Sequence, residues 1–308
     1  MGVPLRPHRR RLTMHEDDVE VSAEVVRALL REQAPEWAEL PLHLVDEIGT
    51  DNVLYRLGDS LVVRLPRGGR SATSLAKECE WLPRLRPHLP VAIPAVRAVG
   101  HPGEGYPHGW AVYDWLPGER ATEGRLRDAA GLAHDLAGFL SALWELDAGD
   151  APAPGEHNFF RGVHLAERDQ QTRASIAALR GVIDTTAVAA VWDAALAAPA
   201  WPGPPVWIHG DIDRQNLLLH DGRLSGVIDF GGLGVGDPAC DVMAAWKLFD
   251  IPARAAFRAA LEVDEATWQR SRGWAVSQAV IALAYYTDET HPVLVRESRR
   301  WIASAVGG

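Results

Sequence analysis

The sequence predicts an α+β protein in two lobes, a small strand-rich N-terminal lobe and a larger, mainly helical C-terminal lobe. Three observations carry this. The chain has 308 residues, and at roughly 150 residues per domain that length suits two domains. The hydrophobic pattern changes from alternation to helical spacing after Gly118. The pair Pro117-Gly118, which breaks regular structure, stands at that change. The expected layout is a disordered tail over 1–13, with Met14 as an alternative start, a first lobe over 14–116 and a second over 117–308. Chemistry is expected in the cleft between the lobes.

The elements follow in order. Residues 21–32 have helical spacing, with Ser22 placed to cap. Val53-Leu54-Tyr55-Arg56-Leu57, then Gly58-Asp59, then Leu61-Val62-Val63-Arg64-Leu65 reads as a β-hairpin. Residues 75–85 return to helix, 91–96 are extended and run into a strand, and 110–115 form a strand ended by Leu116-Pro117-Gly118. Beyond it, Leu132, Leu136, Phe139, Leu140 and Leu143 fall on one helical face. Residues 151–155 are a loop, and helices cover 165–179, 186–197 and most of 253–305. One strand-rich island, 206–230, interrupts them.

Composition narrows the function. The net charge is −10, from 31 basic and 41 acidic residues, which disfavours a nucleic-acid partner and suits a cationic small molecule. The two cysteines, Cys79 and Cys240, lack metal spacing, as expected for a reduced cytoplasm. Arg9-Arg10-Arg11 is followed by no apolar run, so no secretory signal is read. The most apolar stretch, 275–286, is interrupted by Ser277 and Gln278 and reads as a buried helix, so no membrane association is expected. Lys77 and Lys247 are the only lysines, which limits where a catalytic lysine could stand.

The island carries the chemistry. A short strand, Val206-Trp207-Ile208, leads into His209-Gly210-Asp211, with Asn216 five residues after the aspartate. Asp221-Gly222 is a two-residue hairpin turn signal. With that turn, His220 pairs with Arg223 and Asn216 with Val227, so Asp229 shares a face with Asn216. An amide oxygen and a carboxylate presented together, beside Asp211, suit Mg²⁺ and its retained waters. A His-Gly-Asp triplet alone occurs by chance; the added Asn216 and Asp229 give it weight.

These segments resemble the aminoglycoside phosphotransferase family, whose fold is protein-kinase-like. His209-Gly210-Asp211, Asn216 and Ile228-Asp229-Phe230 resemble its catalytic and metal-binding segments. Asp237-Pro238-Ala239-Cys240-Asp241, Glu78 with Trp81-Leu82-Pro83-Arg84-Leu85, and Tyr113-Asp114-Trp115-Leu116-Pro117-Gly118 extend the likeness over about residues 42–301. It implies that Asp211 accepts the substrate hydroxyl proton, and that Asn216 and Asp229 hold Mg²⁺ on the phosphates of ATP or GTP. His209 and Asp241 would shape the loop. Arg64, at the end of a strand, occupies the place of the phosphate-binding lysine, with Glu78 rather than Glu80 as its helix partner. The phosphate-covering loop would be Gly49-Thr50-Asp51-Asn52, with Thr50 as the contact. Adenine would meet backbone groups around Asp114 and Trp115.

The implied activity is transfer of the γ-phosphate to a hydroxyl of a small molecule, with an aminoglycoside antibiotic as acceptor and resistance as the outcome. Asp213, Asp288 and Glu289 are candidates for its ammonium groups, although exposed acids are usually only solvated. The same chemistry on a macrolide, another natural product or a metabolic alcohol is the first alternative, and a non-catalytic nucleotide-binding protein the second. The protein is expected as a monomer or homodimer. The run 231–236 tempts a dinucleotide reading, but it departs from G-x-G-x-x-G and is followed by Asp237, a carboxylate where a pyrophosphate would bind. No P-loop motif is present.

Overall fold

A computed structural model describes residues 19, 21–45, 51–122 and 128–308. The chain divides into two units, Met1–Cys79 with Val96–Trp115, and Glu80–Ala95 with Leu116–Gly308. The expected tail over 1–13 and the expected phosphate contact Thr50 lie outside the described residues.

In the first unit, α1 (Ala23–Gln33) starts where the sequence places it, with the Ser22 hydroxyl accepting the Val25 N–H. Strands β1 (Leu42–Leu44), β2 (Asn52–Leu57) and β3 (Leu61–Pro66) precede α2 (Gly69–Leu85), and β4 (Val96–Gly100) and β5 (Trp110–Asp114) follow it. They make one antiparallel sheet in the order β1-β2-β3-β5-β4. Alternation decides its faces: Val53, Tyr55 and Leu57 of β2 and Leu61, Val63 and Leu65 of β3 are buried. They join Leu29, Leu30 and Trp110 in one core. Arg64 stands on the central strand and points to the opposite face from Val63 and Leu65.

Two sequence expectations shift here. Helix α2 begins at Gly69 rather than near residue 75, because Gly68-Gly69 reads as a turn while the next residues are already helical. Residues 80–95, expected in the first lobe, group with the second unit. The Trp81 ring lies 4.9 Å from that of Trp207, and Ala92 bridges Gly226.

The second unit is mainly helical. Strand β6 (Glu119–Arg120) and helix α3 (Ala129–Trp144) open it, and all five residues of the expected α3 stripe are buried. Helices α4 (Asp169–Ala178) and α5 (Thr185–Ala197) precede β7 (Val206–Ile208), the hairpin β8 (Leu217–His220) and β9 (Arg223–Val227), and β10 (Gly234–Gly236). Sheets β6-β8-β9 and β10-β7 are small. The second half of the glycine run, Gly234–Gly236, is therefore a strand pairing with β7, and its first half lies in a 3₁₀ turn. Helices α6 (Ala239–Val242), α7 (Ala244–Leu248), α8 (Ile251–Leu261), α9 (Glu265–Tyr285) and α10 (Pro292–Val306) complete the chain. The first 16 residues of α9 are buried on nearly every side, and the helix packs against α4, α5, α6 and α10. Among the described residues, no helix is long and apolar enough to cross a membrane.

Candidate active site

Strand β7 delivers the chain into His209-Gly210-Asp211, and Asp241 fixes the turn. Asp241 is fully buried in α6 and accepts the His209 N–H at 2.7 Å through Oδ2 and the Gly210 N–H at 2.8 Å through Oδ1. Burial pushes its carboxyl up to about 7 against those two donors. Gly210 has φ +79, and a Cβ there would stand 2.4 Å from the Gly232 carbonyl oxygen. The site needs glycine on both grounds.

His209 ties this turn to the far end of the hairpin. Its Nδ1 accepts the Asp211 N–H at 3.2 Å, and its Nε2 lies 3.1 Å from the Ile228 carbonyl oxygen. One neutral tautomer, protonated on Nε2, satisfies both bonds. Burial pushes its pKa down, so the neutral ring is the form the fold selects. The Phe230 ring packs against it at 4.5 Å between centroids.

The hairpin corrects the expected register. His220 pairs with Arg223 as the turn signal requires, but Leu217 pairs with Val227, because a bulge between Leu218 and Leu219 shifts the ladder. Asn216 is thus not opposite Val227: it closes a 3₁₀ turn, and its carbonyl accepts the Ile228 N–H at 2.9 Å. Asp229 leaves the strand with φ 63 and ψ 71, in the left-handed region. The pleat alone therefore does not carry the face-sharing argument. The Asn216 amide donates Nδ2 to the Asp211 carbonyl at 2.9 Å, and among the described residues its Oδ1 accepts no hydrogen bond. The Asp229 charge is felt at both His209 and Asp213. Asp211, Asp213, Asn216 and Asp229 are thus one neighbourhood.

Asp213 contacts the backbone of its own turn. Its Oδ1 accepts the Gln215 N–H at 2.7 Å, closing the 3₁₀ turn, and burial raises its pKa with the Asp211 and Asp229 charges adding to the effect. Asp288 and Glu289 are not brought to this neighbourhood. They stand exposed beyond α9, about two helical turns past Gln278, and Asp288 faces Arg299 at 3.5 Å.

Three residues near Asp211 were not singled out from the sequence. Lys247 of α7 is 1% exposed and places Nζ 3.8 Å from Asp211 Oδ1. Gln278 of α9 places Nε2 3.5 Å from the same oxygen. Arg161 lies against Gly210, and its charge reaches Asp211. Burial raises the Asp211 carboxyl, but Lys247, Arg161, His209 and Gln278 outweigh it and leave the group below the usual carboxylate value. The one signal for Lys247 was a charge inside the apolar run 242–249.

In the first unit, Arg64 Nη1 meets Glu78 Oε2 at 2.7 Å, and Glu78 is fully buried. With its amide oxygen turned toward Arg64, Asn52 accepts from Nε at 3.3 Å and from Nη2 at 3.0 Å. The strand arginine and the helix glutamate are therefore paired as expected. Both Asp114 carboxylate oxygens are engaged by Arg97, at 2.5 and 2.6 Å. The Trp115 N–H is committed to the Ser60 carbonyl at 2.7 Å, so one backbone group expected to meet adenine is already occupied.

The donor set fits a hard divalent cation: an amide oxygen on Asn216 and a carboxylate on Asp229 suit Mg²⁺, which keeps several waters and phosphate oxygens. Among the described residues, no three acidic, histidine or cysteine side chains gather into a metal cluster.

No curated protein matches the chain. Many solved structures share the fold, among them three phosphotransferases. The GDP complex of wild-type aminoglycoside 2′-phosphotransferase-IIIa has a TM-score of 0.72 and 18% identity, over 93% of this chain and 99% of that one. A streptomycin–ATP ternary complex of a second aminoglycoside phosphotransferase, type 2″-IIa, has a TM-score of 0.60 and 18% identity, over 88% and 94%. A macrolide 2′-phosphotransferase from Brachybacterium faecium has a TM-score of 0.59 and 21% identity, over 89% and 96%. The phosphotransferase enzyme family model matches residues 43–274, a span that holds the Arg64–Glu78 pair, the 209–229 island, Asp241 and Lys247. The chain belongs to that phosphotransferase enzyme family and has its kinase-like α+β fold.

Proposed function

We propose that this protein transfers the γ-phosphate of ATP or GTP to a hydroxyl of a small molecule, with an aminoglycoside as acceptor. One observation supports the reading above the others. The Asp211 carboxylate is 42% exposed, and it projects from a turn that Asp241, Gly210 and His209 over-determine. A carboxylate held in this way can orient a hydroxyl and take its proton, while phosphoryl transfer asks mainly for positioning and charge neutralisation.

In this reading Asp211 is the general base. Arg64, held by Glu78, clamps nucleotide phosphate oxygens, and its planar fork suits them bidentately. Asn216 Oδ1 and the Asp229 carboxylate would hold Mg²⁺, which when bound neutralises phosphate charge. His209 and Asp241 keep the turn in shape. Two of the solved neighbours carry GDP or ATP, which agrees with a nucleoside triphosphate donor.

A macrolide is the second reading, and a specific feature favours it. Phe159 and Phe160 are 40% and 47% exposed, in the segment that leads directly to Arg161 beside Gly210. Both adopt positive φ, 56° and 55°, a conformation held by bonds to Gly155 and Arg168. An apolar flank of this kind suits a macrolide ring better than a polyammonium sugar.

The test is an acceptor panel assayed for nucleoside diphosphate release, with mass spectrometry of each acceptor for the gain of one phosphate. Turnover on a cationic aminosugar supports the first reading. Turnover confined to macrolides replaces it with the second. Nucleotide binding without transfer to any acceptor or to water sinks both.

A further inference from the structure

Two buried side chains from different helices converge on one oxygen of Asp211. Lys247 approaches from α7 at 3.8 Å and Gln278 from α9 at 3.5 Å, both at Oδ1. Among the described residues, Oδ2 accepts no hydrogen bond. Neither buried group is satisfied elsewhere: Lys247 Nζ and Gln278 Oε1 make no hydrogen bond among the described residues. On its other side the Lys247 ammonium faces the Trp301 ring, 4.4 Å from the centroid. The neighbours of Lys247 on α7 are apolar and buried. A desolvated ammonium costs free energy unless an anion compensates it. Asp213 and Asp241 feel its charge, but among the described residues only Asp211 stands within ion-pair distance.

We propose that Lys247 and Gln278 are positioning residues that hold Asp211 Oδ1 and leave Oδ2 as the oxygen that takes the acceptor proton. The inference rests on the reading of Asp211 as the base. In the step, the acceptor hydroxyl oxygen forms its bond to the γ-phosphorus and gives its proton to Oδ2. The bond from the γ-phosphorus to the β–γ bridging oxygen breaks, and the nucleoside diphosphate leaves with that electron pair. Without the clamp the carboxylate rotates about its Cβ–Cγ bond, and a misplacement of this kind costs roughly 10- to 100-fold in rate.

The experiment is a double-mutant cycle on the full chain. Turnover, nucleotide KM and the thermal midpoint are read for Lys247→Met, Lys247→Arg and Gln278→Leu, each alone and with Asp211→Asn. Transfer to water is the readout where no acceptor is turned over. Expected for Lys247→Met is a kcat lower by roughly 10- to 100-fold, with nucleotide KM nearly unchanged and the thermal midpoint unchanged or raised. Lys247→Arg recovers most of that loss. In the Asp211→Asn background Lys247→Met has almost no further effect, because its partner is gone. An equal loss in both backgrounds, or a change in KM alone, overturns the clamp. If Lys247→Met does not fold, Gln278→Leu carries the same cycle. Full turnover by Asp211→Asn overturns the base assignment itself, whatever the Lys247 variants do.

Discussion

Asp241 Oδ1 accepts the backbone N–H of Gly210 at 2.8 Å, a bond that links α6 to the turn just before Asp211. Its Oδ2 does the same for His209, so one carboxylate holds two consecutive amides. Asp241→Asn keeps the size but puts an NH₂ against one of those donors. Hydrogen bonds to charged groups contribute about 1.5–3 kcal/mol each. The variant should lose about that much stability in chemical denaturation, and turnover should fall with nucleotide affinity kept. A variant as stable and as active as the parent would show that the turn does not need the second acceptor.

His209 supplies a pH dependence with a definite sign. Burial lowers its pKa in the fold below the usual value of about 6.5. Below that value the unfolded chain binds a proton that the folded chain refuses. The contribution of neutral His209 is therefore complete above about pH 6.5 and lost as pH falls below it. His209→Gln can donate to Ile228 and accept from Asp211 without titrating. It should be less stable than the parent at pH 7.5, and the gap should narrow by pH 5. Denaturant midpoints across that range check the slope, and a constant gap would mean His209 does not titrate with unfolding.

The two-lobe α+β division was readable because alternation and helical spacing change sharply near Gly118. The hairpin partners at the turn were readable too, since Asp221-Gly222 fixes them. The bulge at 218–219 was not, because no residue type marks it, and it moved Asn216 and Asp229 off the inferred register. Asp211 and Asp241 were singled out by motif, which is local. Lys247 and Gln278 reach Asp211 only through the packing of α7 and α9, 36 and 67 residues along the chain. No sequence spacing reports such a meeting. The backbone contact of Asp213 was not legible for a related reason: an acid in a polar stretch reads as solvated until its N–H partner at Gln215 is seen.

Arg64 and Glu78 separate stability from nucleotide binding. Arg64→Leu leaves the fully buried Glu78 carboxylate without its 2.7 Å partner. Breaking such a pair costs about 3–5 kcal/mol, and the variant should unfold early. Arg64→Lys keeps the charge but loses the fork that serves Glu78 and Asn52 together. It should fold normally and raise nucleotide KM roughly tenfold, a difference of about 1.4 kcal/mol. Steady-state kinetics in ATP and GTP read the second effect and thermal denaturation the first. An unchanged KM in Arg64→Lys would remove Arg64 from phosphate binding.

Asp229 allows the charge at the proposed metal site to be tested without disturbing the backbone. Its φ of 63 lies in the left-handed region, where asparagine is among the few residues tolerated and alanine is strained. Asp229→Asn therefore keeps the turn and an amide oxygen while removing one negative charge from a site built of Asp229 and Asn216. Mg²⁺ bound through one carboxylate and phosphate oxygens should then be held more weakly. The expected outcome is a higher Mg²⁺ requirement for transfer with an unchanged thermal midpoint in the absence of metal. The same variant should also lower the pKa of Asp213, because the Asp229 charge is one of the influences that raise it. A Mg²⁺ titration of turnover, run beside carboxyl-selective NMR of the metal-free protein, reads both effects. Parent-like Mg²⁺ dependence together with an unmoved Asp213 titration would place the Asp229 carboxylate outside both roles.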